Sequence, residues 1–155
     1  MPQKLIDGVV VVPLRKIADE RGHLIEILRC DSPHFEKFGQ VYITTNNPGV
    51  IKGWHYHKKQ TDFACCVHGM IKMALYDARE DSPTFGLVNE FFLGDHNPIA
   101  VKIPPGVCHG WKGIATFPSI TVNAPTEPYN YEEPDEFRRP YDDPEIPYDW
   151  EIRMG

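Results

Sequence analysis

The segment Gly-Trp-His-Tyr-His at residues 53–57 sets two histidines, His55 and His57, two positions apart. In a β-strand, side chains at positions i and i+2 point to the same face, so both imidazoles lie on one side. Trp54 and Tyr56 alternate with the histidines and are expected to be buried on the opposite side. If this strand belongs to a barrel, the histidine face points into a single cavity.

A third histidine follows about 50 residues later, behind a tight turn. Residues 103–111 read Ile-Pro-Pro-Gly-Val-Cys-His-Gly-Trp, which puts His109 shortly after a Pro-Gly pair. The order of HxH and then PxGxxH resembles the two motifs of cupin proteins, in which both strands line the mouth of a small β-barrel. Asp62 stands where the first cupin motif usually has a glutamate.

Short strand patterns dominate the rest of the chain. Runs rich in β-branched and aromatic residues recur at a spacing of roughly 8–12 residues, and most are separated by glycine, proline, asparagine or aspartate. We predict strands at residues 24–28, 40–45, 63–67 and 71–76, and a short helix only at residues 32–38. The predicted fold class is therefore all-β, a cupin-type β-barrel (jelly roll).

The length of 155 residues corresponds to one domain, so we expect residues 1–155 to form a single cupin domain. Residues 1–125 would make the barrel body. Residues 126–155 would make an irregular, acidic C-terminal arm, because repeated prolines preclude a long helix or a central strand. The arm has too many aromatic residues for a solvated linker, which favours packing on the barrel or on a neighbouring subunit. The alternative is a loose acidic tail.

Charge and hydropathy exclude several classes of protein. The formal net charge of −6 argues against a nucleic-acid partner, but residues 126–151 alone carry −8. The remainder is near +2 and could attract an anion. We expect no membrane segment, since no apolar run reaches the roughly 20 residues of a membrane helix. The N-terminus lacks the apolar core of a signal peptide, and the four cysteines form no CxxC pair, so we expect a cytoplasmic protein with reduced thiols.

Three clustered histidines suit two kinds of chemistry. One is a divalent metal site completed by a carboxylate or an amide, which Asp62 or Gln60 could supply. The other is metal-free proton transfer next to a ketone, for which histidine is suited because its pKa lies near neutrality. The residues by themselves leave both open.

A family resemblance favours the second chemistry. Over about residues 7–150 the sequence is similar to the dTDP-4-dehydrorhamnose 3,5-epimerase family, and the Ser-Pro-Thr-Phe-Gly block at residues 82–86 is quite specific. The matching segments, in the family's order, are residues 19–26, 49–56, 77–86 and 103–110. The resemblance implies a barrel that needs no metal or other cofactor and inverts carbons flanking the 4-keto group of a nucleotide-linked 6-deoxyhexose. The expected partners are a small-molecule nucleotide-sugar substrate and a second copy of the chain in a homodimer.

The resemblance also implies which residues are catalytic. His55 matches the base that takes the proton alpha to the ketone, and His109 matches the second active-site histidine. Tyr129 matches an active-site tyrosine near the end of the barrel. These three side chains are therefore expected to meet around the reacting sugar.

Substrate-binding residues are implied in several segments. Arg21 and Glu26 match a segment that reaches the nucleotide of a neighbouring subunit, and Gln40 matches a polar residue at the nucleotide or sugar. Lys52 stands where the family has an arginine that meets the diphosphate; it keeps the charge but loses the bidentate fork. Lys59, in the basic run beside the histidines, would attract the diphosphate as a point charge, or would belong to a solvated charge run.

Three departures from the family concern its catalytic groups. The family's acid tyrosine falls at Val122 or Asn123 in this sequence. A lysine expected before the middle glycine is replaced near Asp62. The aspartate that partners the base would lie beyond the position of Trp150, close to where this chain ends. A base without its orienting carboxylate could be weak or could work differently.

A second resemblance suggests a substitute for the acid. Residues 53–59 are similar to the GxHAHKK motif of dTDP-sugar 3,4-ketoisomerases, whose two histidines move protons between neighbouring carbons. His57 is therefore the candidate to assist or replace the family's tyrosine, and it joins the catalytic residues.

Together these patterns predict an isomerase: a metal-independent nucleotide-sugar epimerase of polysaccharide or deoxysugar biosynthesis. Three alternatives remain. The first is a 3,4-ketoisomerase acting on the same substrate class. The second is a sugar-nucleotide-binding cupin with reduced catalysis. The third is a metal-dependent cupin, such as an oxygenase or a sugar-phosphate isomerase.

Overall fold

Twelve strands account for all of the regular secondary structure within residues 3–153, the part of the chain that the computed structural model describes. No helix in these residues is long and apolar enough to cross a membrane. The strands are β1 (Val10–Pro13), β2 (Lys16–Asp19), β3 (Gly22–Ile25), β4 (Tyr42–Asn46), β5 (Ile51–Tyr56), β6 (Asp62–His68), β7 (Met70–Asp77), β8 (Val88–Gly94), β9 (Ile99–Ile103), β10 (Val107–Gly113), β11 (Ser119–Asn123) and β12 (Phe137–Arg138).

Ten of the strands form two five-stranded sheets. The first sheet has the order β1-β9-β6-β11-β4, and the second has the order β12-β5-β10-β7-β8. Strands β2 and β3 form a separate hairpin. All of the pairings are antiparallel. The prediction of an all-β, cupin-type jelly roll is confirmed.

Apolar side chains from both sheets fill the space between them. Successive residues of a strand face opposite sides, so Cys66 lies in this inner core while Cys65 packs on the outer face of the first sheet with Phe63. Each large apolar side chain buried in this way stabilises the fold by roughly 1.5–3 kcal/mol. The inner core consists mainly of Ile71, Met73, Leu75, Phe91, Leu93, Val101, Ile103, Val107 and Trp111.

Residues 137–151 lie on the outer face of the second sheet. Strand β12 pairs with β5, and Phe137 stacks on Tyr56 with ring centroids 5.2 Å apart. Trp150 packs against Trp54 with ring centroids 5.0 Å apart, and both side chains are buried. The alternation expected for β5 therefore holds, with Trp54 facing outward under this segment.

The prediction of a short helix at residues 32–38 is wrong. The backbone there makes isolated turns, with Ser32 N bonded to Arg29 O at 3.1 Å and Phe35 N to Ser32 O at 3.0 Å. The Ser32 hydroxyl also accepts the N–H of His34 over 3.3 Å, which competes with helical hydrogen bonding. So short a segment does not compensate the cost of helix nucleation on its own.

Candidate active site

A bulge in β5 decides which side chains face the barrel interior. His55 lies opposite His109 and Lys52 lies opposite Trp111, so β5 has one more residue than β10 between these pairs. The extra residue turns Lys52 to the same face as His55, although the two are three positions apart. Lys52 Nζ consequently reaches Thr44 Oγ1 on the facing sheet, at 2.6 Å.

Four polar side chains converge at one end of the barrel. His55, His57, Asp62 and His109 each offer one donor atom, and these atoms lie within 4.8 Å of one another. Asp62 Oδ2 is 3.3 Å from His57 Nε2 and 3.0 Å from His109 Nε2. His55 is partly exposed, whereas the other three are buried. Because β5 and β10 belong to one sheet and β6 to the other, the cluster joins the two sheets.

Backbone carbonyls fix two of the histidine rings. His57 Nδ1 contacts the carbonyl oxygen of Asp135, and His109 Nδ1 lies 3.0 Å from that of Val107. A carbonyl oxygen only accepts hydrogen bonds, so each Nδ1 carries a hydrogen and each Nε2 is directed at Asp62. Among residues 3–153, His57 Nε2 and Asp62 Oδ2 have no hydrogen-bond partner of good geometry. These two buried atoms instead face each other at 3.3 Å.

The other oxygen of Asp62 is held by two amides. Asp62 Oδ1 accepts hydrogen bonds from Gln60 Nε2 at 2.7 Å and from Asn123 Nδ2 at 2.8 Å. Burial alone would raise the pKa of Asp62, but the contacts with His109 and His57 hold it well below its usual range. Asp62 is therefore a carboxylate at neutral pH.

The cluster gives two of its histidines opposite protonation behaviour. Burial lowers the pKa of His55 well below 6.5, and the neighbouring His109 lowers it further, so His55 is a neutral base at pH 7. Burial also opposes charge on His57, but Asp62 and the carbonyl of Asp135 outweigh it and raise the pKa of His57. Diverging pKa values in neighbouring groups suit a base and an acid.

A cleft of about 750 Å³ opens beside His57. This volume is in the range of small-molecule binding sites. The predicted residues Gln40, Lys59 and Tyr129 line it, together with His57. The remaining wall comes largely from residues 127–137, where Glu127, Glu133 and Glu136 share the surface with Tyr131 and Phe137. Tyr129 meets Tyr131 edge to face, with ring centroids 5.0 Å apart.

Two predicted substrate-binding residues lie away from this cleft. Arg21, in the β2–β3 turn, pairs with Asp19 at 2.5 Å, and Glu26 pairs with Arg29 at 3.0 Å. Both side chains are exposed, and neither lines the cleft. Lys52 also lies outside the cleft lining. Arg21 and Glu26 could therefore contribute only to the cleft of another copy of the chain.

Asp135 organises the site although no sequence pattern singled it out. Its carboxylate accepts the backbone N–H groups of Lys58 at 2.9 Å, Lys59 at 2.8 Å and Gln60 at 3.1 Å. Its own carbonyl contacts His57. The residue therefore fixes the turn that follows His57, and it does so from an irregular segment that has no periodicity to mark it.

The donor set also bears on metal binding. Three imidazoles and one carboxylate, with donor atoms within 4.8 Å of one another, are suitable ligands for a divalent metal ion. Proton transfer and metal binding would use the same atoms, so an experiment on function must include a metal measurement.

The chain is similar to known proteins in sequence and in fold. The sequence profile of the dTDP-4-dehydrorhamnose 3,5-epimerase family matches residues 3–155. The "Probable low-salt glycan biosynthesis epimerase Agl13" of Haloferax volcanii is 45% identical over 151 residues, which cover 96% of this chain and 97% of the relative. The spore coat polysaccharide biosynthesis protein SpsL of Bacillus subtilis is 41% identical over 146 residues, covering 94% and 97%.

A solved structure agrees with this assignment. The crystal structure of a dTDP sugar isomerase from Desulfovibrio desulfuricans G20 superposes with a TM-score of 0.89 at 34% identity. The superposition covers 94% of this chain and 92% of that chain. The resemblance drawn from the sequence motifs is confirmed, and the chain belongs to the dTDP-4-dehydrorhamnose 3,5-epimerase family.

Proposed function

We propose that this protein is a metal-independent epimerase that acts next to the 4-keto group of a nucleotide-linked 6-deoxyhexose. The observation that carries the proposal is the pairing of His55, whose pKa is lowered, with His57, whose pKa is raised and which lines a ligand-sized cleft. His55 itself does not line the cleft and lies behind His57, with ring centroids 5.5 Å apart. Two relatives are named for glycan or polysaccharide biosynthesis, which supports a role in polysaccharide or deoxysugar synthesis.

The proposed chemistry is proton exchange at a carbon acid. His55 takes the proton alpha to the ketone, and the electron pair of the broken C–H bond forms an enolate with the charge on the 4-oxygen. Inversion then requires a proton to arrive at the opposite face of the same carbon, and His57, as an imidazolium, is assigned as the source of that proton. His109 and the cluster around Asp62 lie beside the developing charge, where hydrogen-bond donors and fixed dipoles stabilise it.

The cleft residues are assigned to substrate binding. Gln40 and Lys59 would contact the nucleotide and its diphosphate, and Tyr129 would contact the sugar or the base. Lys52 points inward beside the histidines and would add positive charge near the diphosphate. Arg21 and Glu26 would act on the nucleotide bound to a partner subunit.

We also propose that the protein works as a homodimer. Strand β4 lies at the edge of its sheet and exposes Ile43, and Val41 and Phe38 in the segment before it are also exposed. An apolar edge of this kind is normally covered. Light scattering coupled to gel filtration should report twice the mass of one chain, and a monomer would contradict the assignment.

The proposal includes the location and the organisation of the chain. Three of the four cysteines are buried free thiols, which supports a cytoplasmic enzyme. Residues 1–155 would act as one cupin domain, with residues 126–155 as the arm that completes the cleft.

The test is proton exchange with several nucleotide-linked 4-keto-6-deoxyhexoses in deuterated water, followed by NMR. Deuterium entering at a carbon next to the ketone, with inversion, is the expected result, and it should vanish in His55→Ala. Exchange at the wild-type rate in that variant would show that the proposed base is wrong. A stoichiometric metal ion in the purified protein, measured by mass spectrometry, would contradict the metal-independent mechanism.

A 3,4-ketoisomerase is the second candidate. The observation in its favour is the proximity of the two HxH rings, His55 and His57, whose centroids are 5.5 Å apart. In the same experiment a carbonyl that moves to the neighbouring carbon would identify this reaction. Tight binding without exchange would instead identify a binding protein.

A further inference from the structure

The histidine cluster contains one buried carboxylate, that of Asp62, near the position where the family pattern has a lysine. Asp62 is the first residue of β6 and is 1% exposed. It does not line the cleft. A carboxylate buried to this degree costs free energy unless its partners compensate for the lost water.

The partners of Asp62 differ on its two oxygens. Oδ1 accepts hydrogen bonds from two neutral amides, Gln60 and Asn123, at 2.7 and 2.8 Å. These bonds prevent the carboxylate from rotating. Oδ2 is thereby held 3.3 Å from the Nε2 of His57 and 3.0 Å from the Nε2 of His109. One fixed oxygen is thus shared by two rings.

The rings are held at both ends as a result. The Nδ1 atoms of His57 and His109 meet backbone carbonyls, while their Nε2 atoms face Asp62. The carbonyls alone leave each ring free to tilt about a single contact. The second contact, through the carboxylate, restricts that motion.

We propose that Asp62 is a positioning carboxylate of this active site and orients His57 and His109 together. The proposal rests on the proposed function, since it assigns these rings to proton transfer. Asp62 itself acts through the rings and is not expected to touch the substrate.

The test replaces the acceptor by a donor of the same shape. In Asp62→Asn, an NH₂ group replaces one of the two carboxylate oxygens. It then faces either the amides of Gln60 and Asn123 or the rings of His57 and His109. We expect the kcat of deuterium exchange to fall by about 100-fold. KM should change little, because Asp62 lies outside the cleft lining.

Asp77→Asn is the matched control. Asp77 is also a buried carboxylate, at 0% exposure, but its partners are Arg79, Ser82 and Thr84. This variant should keep the wild-type kcat at a temperature where it is folded. If Asp62→Asn does not fold, Asp62→Ser serves the same comparison, since its hydroxyl can still accept from an amide.

The outcomes are distinguishable from a failure of the proposed function. A folded Asp62 variant with wild-type kcat, or with a raised KM and unchanged kcat, overturns the positioning role. If the wild type exchanges no sugar proton at all, the proposed function fails instead. In that case the ¹⁵N NMR signals of the His57 and His109 rings still test Asp62: they should move in Asp62→Asn and stay in Asp77→Asn. Unmoved signals overturn the positioning role.

Discussion

Tyr42 and Asn123 lie opposite each other on the antiparallel strands β4 and β11, and Asn123 Nδ2 donates a hydrogen bond to the Tyr42 hydroxyl over 2.9 Å. Asn123 is one of the two positions, with Val122, at which the family resemblance expects an acid tyrosine. A tyrosine hydroxyl is therefore present beside this place, but the neighbouring strand carries it. Burial raises the pKa of Tyr42 to about 12, with Asp62 adding to the effect and Asn123 opposing it, so the phenol is protonated at neutral pH.

Tyr42→Phe should slow deuterium exchange. The Tyr42 oxygen accepts from Asn123, so its O–H is free to donate to a substrate in the cleft that Tyr42 lines. We expect a fall in kcat of roughly 100-fold if this donor acts in proton transfer. Tyr56→Phe is the control, because that ring stacks on Phe137 outside the barrel. Equal rates in the two variants would rule out a role for the Tyr42 hydroxyl.

The kcat of deuterium exchange should stay high over a wide pH range that extends both below and above pH 6.5. Activity needs neutral His55 and charged His57. Burial, reinforced by His109, lowers the pKa of His55, so the base stays active below pH 6.5. Burial opposes charge on His57, yet Asp62 raises its pKa, so the acid is lost only as the pH rises through that raised value. If kcat instead decreases toward low pH with a midpoint at pH 6.5, His55 does not have the lowered pKa.

The strand pattern predicts the fold because alternation is a local property. Along β5, Trp54 is buried outside the barrel and His55 faces inward, as period-2 alternation requires. The HxH and PxGxxH motifs lie on paired strands, which explains why their order and spacing are sufficient to predict the histidine cluster. The strand pairing then brings His55 opposite His109.

The parts that could not be predicted depend on pairing or on irregular backbone. Lys52 is three positions from His55, so regular alternation places it on the opposite face; only the pairing with β10 reveals the bulge. Asp135 is 78 residues from His57 in sequence and lies in a segment with almost no regular structure. The sequence indicates Asp62 as a carboxylate of the site, but one of the two amides that hold it, that of Asn123, is 61 residues away.

The Ser-Pro-Thr-Phe-Gly block of residues 82–86 has a structural role. Asp77 accepts hydrogen bonds from Arg79 Nε at 2.8 Å and from the hydroxyls of Ser82 and Thr84, both at 2.6 Å. Thr84 Oγ1 also accepts the backbone N–H of Asp7 at 2.8 Å. The network closes the turn between β7 and β8 and ties the N-terminal segment to it.

Asp77→Asn should lower the free energy of unfolding at pH 7 by about 2–3 kcal/mol, since hydrogen bonds to a charged acceptor are lost. Burial opposes ionisation of Asp77, but Arg79 and the two hydroxyls outweigh it and lower its pKa. Its contribution is therefore complete above the unfolded pKa of about 3.9 and is lost as the pH falls below it. Urea denaturation should show a smaller difference from wild type at pH 3 than at pH 7; an equal difference would contradict the charged network.

The end of the C-terminal segment should contribute strongly to stability. Trp150 is 4% exposed, packs on Trp54, and donates its Nε1–H to the carbonyl of Tyr141 over 3.0 Å. Its own carbonyl accepts from the buried Lys112 Nζ at 3.0 Å. Trp150→Ala should cost about 3–5 kcal/mol in thermal or urea unfolding. The control is Tyr131→Ala, whose side chain is 88% exposed and should change stability by less than about 0.5 kcal/mol. Similar losses in both variants would show that the segment does not anchor through Trp150.

Gly110 lies opposite the β5 bulge and offers a test of whether strand pairing sets the catalytic geometry. A Cβ at Gly110 would lie 2.6 Å from the carbonyl oxygen of Lys52, so Gly110→Ala must push β5 away from β10. The rings of His55 and His109, whose centroids are 4.0 Å apart, lie beside this contact. We expect a loss of about 1–3 kcal/mol in stability from overpacking. Exchange should fall by about 100-fold, the effect of a displacement near 1 Å.

Gly113→Ala provides the matched control for this experiment. It lies on the same strand, and its Cβ would crowd the carbonyl oxygen of Asn47 at 2.7 Å, a similar clash at the other end of β10. Both variants should therefore lose comparable stability, but only Gly110→Ala should lose exchange when the rates are measured well below the melting temperatures. Equal rates in the two variants would mean that the spacing of β5 and β10 at the bulge does not control the histidine pair.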